Sequence, residues 1–283
     1  MRIPSLKLSK RRALGLRLRL RRPAFDLRKA MFILPNLFTV ASIFCGFYGA
    51  VTAAEAHGDT PAMYRACVSI LLAAFFDGID GRVARMTKTQ SAFGVQMDSL
   101  ADVISFGAAP ALIAWFWGLS HWGPLGLFAC FFFCACGAIR LARFKVIAAQ
   151  AAGPSHFFVG LPIPAAAWLL VAVIIAWLNA DAPPLTGAEP WPPFLLFGLG
   201  VLMVSTIPFR TFKASRMNKR SVTAIVTVIC ATLFVAIEVR PSFAVVALMA
   251  AYLAWGLGEW LWRWTRKLAA SATGGNVGPT PRS

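Results

Sequence analysis

The sequence has little acidic charge, little histidine and no paired-cysteine pattern. Only 14% of the residues are charged, with 11 Asp+Glu against 28 Lys+Arg. The six cysteines lie within apolar runs without a Cys-x-x-Cys pair, which favours small buried side chains over a zinc or redox site. The three histidines are scattered at segment ends and form no ligand set: His57, His121 and His156. Soft-metal chemistry is therefore not expected.

The composition also argues against a soluble protein. Hydrophobic residues make up 58% of the 283 residues, and the mean hydropathy is +0.67, which indicates an integral membrane protein. A net charge of +17 would suggest a nucleic-acid partner in a soluble chain, but here the basic residues flank apolar runs. We therefore expect anionic lipid headgroups, and no nucleic acid, as partners of the basic residues.

Eight apolar segments predict an all-α, polytopic membrane protein with about eight transmembrane helices. Several segments are shorter than the ~20 residues that cross a bilayer core, so their ends are approximate. The first segment has 24 residues and exceeds the roughly 7 to 15 of a signal-peptide core, so we expect a span and no cleaved leader. The segments are 31–54, 62–76, 92–118, 122–141, 161–179, 194–209, 222–238 and 241–262.

The basic residues are distributed very unevenly between the two sides of these segments. Twenty-six of the 28 Lys+Arg fall in the arm 1–29, in alternate loops and after the last segment. The other loops hold only Arg65 and Arg240, together with five acids. The positive-inside rule therefore predicts that both termini are cytoplasmic.

Four aspartates stand in or beside apolar helices between Asp77 and Asp102. Each carboxylate costs roughly 2.5 to 3.5 kcal/mol at the middle of a membrane helix. Asp77 and Asp80 share a helix face, as do Asp98 and Asp102, and a short polar link at 87–90 should bring the two pairs together. A bound divalent cation is our interpretation. The alternative is that the acids reach water or pair with arginines of the same stretch.

Four converging carboxylates offer hard oxygen ligands, which suit Mg²⁺, Mn²⁺ or Ca²⁺ better than zinc. Such a set can hold two cations, an arrangement that suits phosphoryl chemistry. Gly81 and Gly94 remove side chains next to the acids, so a bulky ligand can approach the backbone closely. Taken alone, either glycine is equally consistent with close helix packing.

The stretch matches the pattern D-x-x-D-G-x-x-A-R-x8-G-x3-D-x3-D at every fixed position. This pattern resembles that of the CDP-alcohol phosphatidyltransferases, membrane enzymes that displace CMP from a CDP-linked lipid or alcohol. The segments PNLFT, FCGFY, FDGIDGRVAR, FGVQMDSLADVISFGAAPA, GAIRLARF and GLPIPAAA are similar to the branch that uses serine as the acceptor. The resemblance covers roughly residues 31–220.

The resemblance implies a fold, a reaction and a set of site residues. It implies a six-helix core, often dimeric, two divalent cations (Mg²⁺ or Mn²⁺), and transfer of a phosphatidyl group from CDP-diacylglycerol to L-serine. Asp102 would also be the general base. The implied metal ligands are Asp77, Asp80, Asp98 and Asp102, and the implied CDP-diacylglycerol contacts are Asn36, Thr39, Gly81, Arg85, Ser91 and Gly94. Without the resemblance, Asn36 and Thr39 are more typical of a helix start and an inter-helix hydrogen bond.

A serine substrate brings a carboxylate, so a nearby cation is expected. Arg140 and Arg143, at the cytoplasmic end of the fourth segment, are our candidates. The alternative is that both only cap the C-terminus of a helix and follow the charge rule.

The resemblance also divides the chain. We expect a basic arm at 1–29, a catalytic membrane core at 30–220, an additional helix pair at 221–265 and a flexible tail at 266–283. One rival function is a sibling enzyme whose acceptor is glycerol 3-phosphate, inositol phosphate or choline. Another is a cation-coupled transporter, which predicts repeat symmetry that the sequence does not display.

Overall fold

The structure is a computed structural model that describes residues 27–87, 91–150, 158–180 and 182–209, with a few isolated positions beyond. The predicted arm at 1–29 and tail at 266–283 lie almost wholly outside these residues. So do the predicted segments 222–238 and 241–262. The division of the chain into four parts and the count of eight spans therefore stay predictions.

The regular structure of the described residues is helical, apart from one two-residue strand pair, and the all-α prediction is confirmed. Strand β1 (Phe158–Val159) pairs antiparallel with β2 (Pro208–Phe209). The helices are α1 (Leu27–Glu55), α2 (Thr60–Met86), α3 (Ala92–Asp102), a π-helical turn (Val103–Ala108), α4 (Ala109–Trp117), a 3₁₀ turn (Leu119–Trp122), α5 (Gly123–Gln150), α6 (Ile163–Asn179) and α7 (Trp191–Val204).

Four helical stretches in this part are long and apolar enough to cross a membrane: Pro35–Glu55, Thr60–Met86, Ala92–Trp117 and Leu119–Ile147. Two shorter apolar helices, α6 and α7, follow them. Each of the first six predicted segments thus has a helical counterpart. The protein is an integral membrane protein.

Helix α2 runs well past the end of its predicted apolar segment. It begins at the N-cap Asp59, whose Oδ2 accepts from the Ala62 N–H at 3.1 Å, and it continues to Met86. The aspartate pair Asp77 and Asp80 is therefore helical, as the shared-face prediction requires. Helix α3 then begins at the N-cap Ser91, whose Oγ accepts from the Gly94 N–H at 3.0 Å.

Small residues let α1 lie close against two neighbours at once. A Cβ at Gly46 would lie 2.8 Å from Ser105 Cα, in the π-helical turn, and one at Gly49 would lie 3.0 Å from the Ala66 carbonyl oxygen of α2. The Ser105 hydroxyl also donates to the Ser42 carbonyl at 3.0 Å. Close approach through small residues is the usual way that membrane helices pack. It brings the N-terminal half of α1 to the acids of α2 and α3.

Candidate metal centre

The acids of α2 and α3 converge, as their spacing predicts. Asp77, Asp80 and Asp98 each place a carboxylate oxygen so that the three oxygens lie within 4.8 Å of one another. Asp80 is buried and the other two are half-buried. Three carboxylates this close repel one another unless protons or a cation neutralise them. Their donor set consists only of hard oxygen atoms, which fits a divalent cation such as Mg²⁺ or Mn²⁺.

Asp102 extends this cluster from the last turn of α3. Its carboxyl makes a side-chain hydrogen bond with that of Asp77 and lies close enough to Asp98 for a Coulombic interaction. Its Oδ1 is buried and has no hydrogen-bond partner in the described part of the chain. A buried polar atom without a partner costs free energy, so an electropositive ligand at this oxygen would remove a penalty. The orphaned oxygen is the observation that best fits a cation here.

Helix α1 supplies the third wall of the site. The Thr39 hydroxyl is buried and donates to Asp80 Oδ2 at 2.7 Å. Asn36 Oδ1 lies 3.4 Å from the point where a Cβ on Gly94 would stand. The structure therefore places the Thr39 hydroxyl on Asp80 and Asn36 next to Gly94, one turn before Asp98.

Gly81 faces open space. Within the described residues, a Cβ added there would meet only its own helix neighbour Arg85, at 3.9 Å from Nη2. Among these residues, close helix packing does not account for Gly81, and the space beside it leaves room for a ligand. Gly94 is tighter, because its added Cβ would stand 3.2 Å from Ser91 Oγ. Ser91 itself caps α3, and the predicted contacts of these residues with CDP-diacylglycerol stay predictions.

The two predicted serine-binding arginines lie in different surroundings. Arg140 is buried and near enough to Asp102 for a Coulombic interaction. Arg143 is exposed, and its Nη1 donates to the Val204 carbonyl at 3.2 Å, at the C-terminal end of α7. The contact of Arg143 fits the capping alternative. The predicted contact of either residue with serine remains untested.

Lys145 is a site neighbour that the sequence did not single out. Its Nζ donates to the Val95 carbonyl at 3.0 Å and to Gln96 Oε1 at 2.8 Å, so it ties α5 to α3. It also interacts electrostatically with Asp98. Lys145 follows Arg140 by five residues, which puts the two about 140° apart around an ideal helix. Helical periodicity alone therefore does not predict that Arg140 and Lys145 both lie near the aspartates.

The fold and the site together define a class: a helical membrane protein with a cluster of carboxylates that could hold a divalent cation. The family model described as CDP-alcohol phosphatidyltransferase matches residues 32–205. The chain belongs to the CDP-alcohol phosphatidyltransferase family, as the motif predicts.

Individual relatives extend this match. The chain is 38% identical over 236 residues to the CDP-diacylglycerol–serine O-phosphatidyltransferase of Helicobacter pylori, covering 82% of this chain and 92% of that protein. It is 33% identical over 226 residues to the protein of the same name from Mycobacterium bovis, covering 78% and 76%. It is also 40% identical over 136 residues to the protein of that name from Saccharomyces cerevisiae, and the matched region covers 46% of this chain and 49% of that protein.

If the acidic cluster binds a cation, the thermal stability of the protein should depend on Mn²⁺, and replacing one aspartate by asparagine should remove that dependence. Mn²⁺ should raise the Tm of the parent protein in detergent, because a ligand bound only by the folded state stabilises it. Asp98→Asn should show little or no such rise, and its Tm in EDTA should equal or exceed that of the parent because one repelling charge is gone. Differential scanning fluorimetry with and without Mn²⁺ measures both values.

The matched control is Asp59→Asn, at the N-cap of α2. Asn caps a helix about as well as Asp, so this variant should keep the full Mn²⁺-dependent rise. An undiminished rise in Asp98→Asn would show that Asp98 takes no part in cation binding.

Proposed function

We propose that this protein transfers the phosphatidyl group of CDP-diacylglycerol to the hydroxyl of L-serine, giving phosphatidylserine and CMP. The observation that carries the proposal is the convergence of Asp77, Asp80 and Asp98, with the orphaned oxygen of Asp102 beside them. The names of the Helicobacter pylori and Mycobacterium bovis relatives support serine as the acceptor. They do not favour the sibling acceptors or a transporter.

The four aspartates would hold the divalent cations, two of them, with Mg²⁺ or Mn²⁺ as the metal. When bound, these cations neutralise diphosphate charge and favour departure of the nucleotide. The open space at Gly81 admits a ligand against the backbone of α2. Arg85 lies on α2 beside this space, and Asn36 and Ser91 lie next to Gly94 near the start of α3. We propose that these residues, together with Thr39, contact the CDP part.

Asp102 is proposed as the general base. It takes the proton of the serine hydroxyl, and the serine oxygen then bonds to the phosphorus next to diacylglycerol while the bond from that phosphorus to CMP breaks. Asp102 lies beside Asp77 and Asp98, so its carboxyl would receive the proton next to the proposed cations. Most of the remaining rate enhancement would come from positioning, because the protein forms no covalent bond with the substrate.

The serine carboxylate is proposed to meet Arg140. Arg140 is buried beside Asp102, so a serine held by its guanidinium would have its hydroxyl near the base. Arg143 is a less favoured contact, because it is exposed and lies at the end of α7. A buried arginine is also well suited to bidentate recognition of a carboxylate.

The site is proposed to open to the cytoplasm from the cytoplasmic membrane. Asp77 and Asp80 stand in the last three turns of α2, directly before the basic loop that the positive-inside rule assigns to the cytoplasm. Both termini would lie on the same side, with the basic arm against anionic lipid headgroups. A homodimer is proposed by analogy with the family alone.

The reaction is tested by CMP release from purified protein given CDP-diacylglycerol, Mn²⁺ and one acceptor at a time. We expect release with L-serine, and a fall in turnover of about 10²-fold or more in Asp102→Asn, because the base is lost. CDP-diacylglycerol binding by this variant should remain measurable. Asp59→Asn is the control and should turn over like the parent.

Two outcomes would contradict parts of this proposal. Near-normal turnover in Asp102→Asn would remove Asp102 from the role of base. Release with glycerol 3-phosphate and none with serine would overturn the acceptor while leaving the family membership intact.

The different surroundings of the two arginines predict different kinetic effects. Arg140→Ala should raise the KM for serine about tenfold or more, because a buried charge-assisted contact is lost. Arg143→Ala should change that KM little. Steady-state kinetics at saturating CDP-diacylglycerol measure both, and Arg140→Lys, which retains the positive charge, should fall between the parent and Arg140→Ala. A parent-like KM in Arg140→Ala would refute the assignment.

A further inference from the structure

The hydrogen bond between Thr39 and Asp80 is buried at both ends. Thr39 is 4% exposed and Asp80 is 5% exposed, and 2.7 Å separates Thr39 Oγ1 from Asp80 Oδ2. Water has little access to either atom, so it cannot readily replace this contact. A bond of this kind is stronger than an exposed one, and its loss leaves a buried acceptor unsatisfied.

The single hydroxyl proton of Thr39 has two acceptors within reach. Asp80 Oδ2 lies at 2.7 Å, and the Pro35 carbonyl oxygen, one turn back on α1, lies at 3.2 Å. The shorter distance is typical of a hydroxyl that donates to a charged carboxylate. The proton therefore goes to Asp80, and the Pro35 carbonyl is the fallback acceptor when the carboxylate is absent.

Helix α1 holds Thr39 firmly in this position. The Phe38 ring stacks on that of Phe76, directly before Asp77, with centroids 6.3 Å apart. One turn beyond Thr39, the Ser42 carbonyl accepts from Ser105 of the π-helical turn. These contacts on either side of Thr39 fix the position of α1 along its axis relative to the aspartates. They hold the Thr39 hydroxyl within hydrogen-bond distance of Asp80.

We propose that Thr39 is a positioning residue for the metal centre, orienting the Asp80 carboxylate so that its ligand oxygen stays in register with those of Asp77 and Asp98. This inference rests on the proposed metal site. Carboxylates that bind metals are generally held by hydrogen bonds from a surrounding shell of residues, and removal of such a partner typically weakens metal affinity about 10- to 100-fold. Because the hydroxyl proton is used on Asp80, the effect of Thr39 on the metal centre would pass through that carboxylate.

Mn²⁺ binding to the substrate-free protein tests this directly. Free Mn²⁺ is followed by electron paramagnetic resonance while the metal is titrated into full-length protein in nanodiscs. Thr39→Val, which keeps the shape and removes the hydroxyl, should weaken Mn²⁺ binding about tenfold or more. Thr39→Ser, which restores the hydroxyl, should bind close to the parent.

The matched control is Ser69→Ala. Ser69 is buried in α2 two turns before Asp77, and its hydroxyl donates to the Ala66 carbonyl at 2.7 Å. The Ser69→Ala variant shows the effect of losing a buried hydroxyl that does not contact the aspartates. Its Mn²⁺ affinity should equal that of the parent. Tm values in EDTA for all variants show whether each protein is folded.

Three results would overturn the inference. Parent-like Mn²⁺ affinity in Thr39→Val, with a raised KM for CDP-diacylglycerol, would assign Thr39 to the nucleotide and leave the metal centre in place. Equal weakening in Thr39→Val and Thr39→Ser would show that packing matters and the hydroxyl does not. Absence of saturable Mn²⁺ binding in the parent would remove the metal centre itself, and this inference with it.

Discussion

Carboxylates inside membrane helices must be neutralised, and the arrangement of α1, α2 and α3 follows from that constraint. Asp77, Asp80 and Asp98 bring oxygens within 4.8 Å of one another in a setting where a lone acid costs roughly 2.5 to 3.5 kcal/mol. A cation between them turns mutual repulsion into attraction. The same cluster would suit the proposed diphosphate substrate, because cations held by these carboxylates would offset phosphate charge. The cation that would neutralise the carboxylates is therefore also the one that the proposed reaction requires.

The support of this cluster comes mainly from α1. Its small residues allow a backbone approach that larger side chains would prevent, as the 2.8 Å separation between an added Gly46 Cβ and Ser105 Cα shows. That approach places the Thr39 hydroxyl on Asp80 and the Asn36 amide near Gly94. The small residues of α1 therefore determine both the close packing of the helices and the orientation of the site residues.

Much of this arrangement was predictable, because helical periodicity alone determines which residues share a face. The spacing of Asp77 with Asp80, and of Asp98 with Asp102, predicted two carboxylate pairs, and the short link between the helices predicted their convergence. The same motif predicted the family. The pairing of Asp77 with Asp80 required the second helix to continue past its apolar segment, and α2 does so, ending at Met86.

Contacts between helices were not predictable in the same way. Thr39 and Asp80 are 41 residues apart, and nothing in either local sequence pairs them. Arg140 and Arg143 have a spacing that suggests a common face, yet one is buried near Asp102 and the other reaches the end of α7, because long side chains follow the surroundings of the helix. The π-helical turn after Asp102 has no simple sequence signature. Such turns often occur at functional sites, where they alter the register of neighbouring side chains.

The central claim is that the aspartates of α2 and α3 hold divalent cations at one site. Anomalous diffraction at the manganese edge, from crystals grown with Mn²⁺ and CMP, tests it most directly. Strong anomalous density is expected between the carboxylates of Asp77, Asp80 and Asp98, with Asp102 in reach of the same density. Well-ordered aspartates without anomalous density between them, at Mn²⁺ concentrations that support activity, would contradict it.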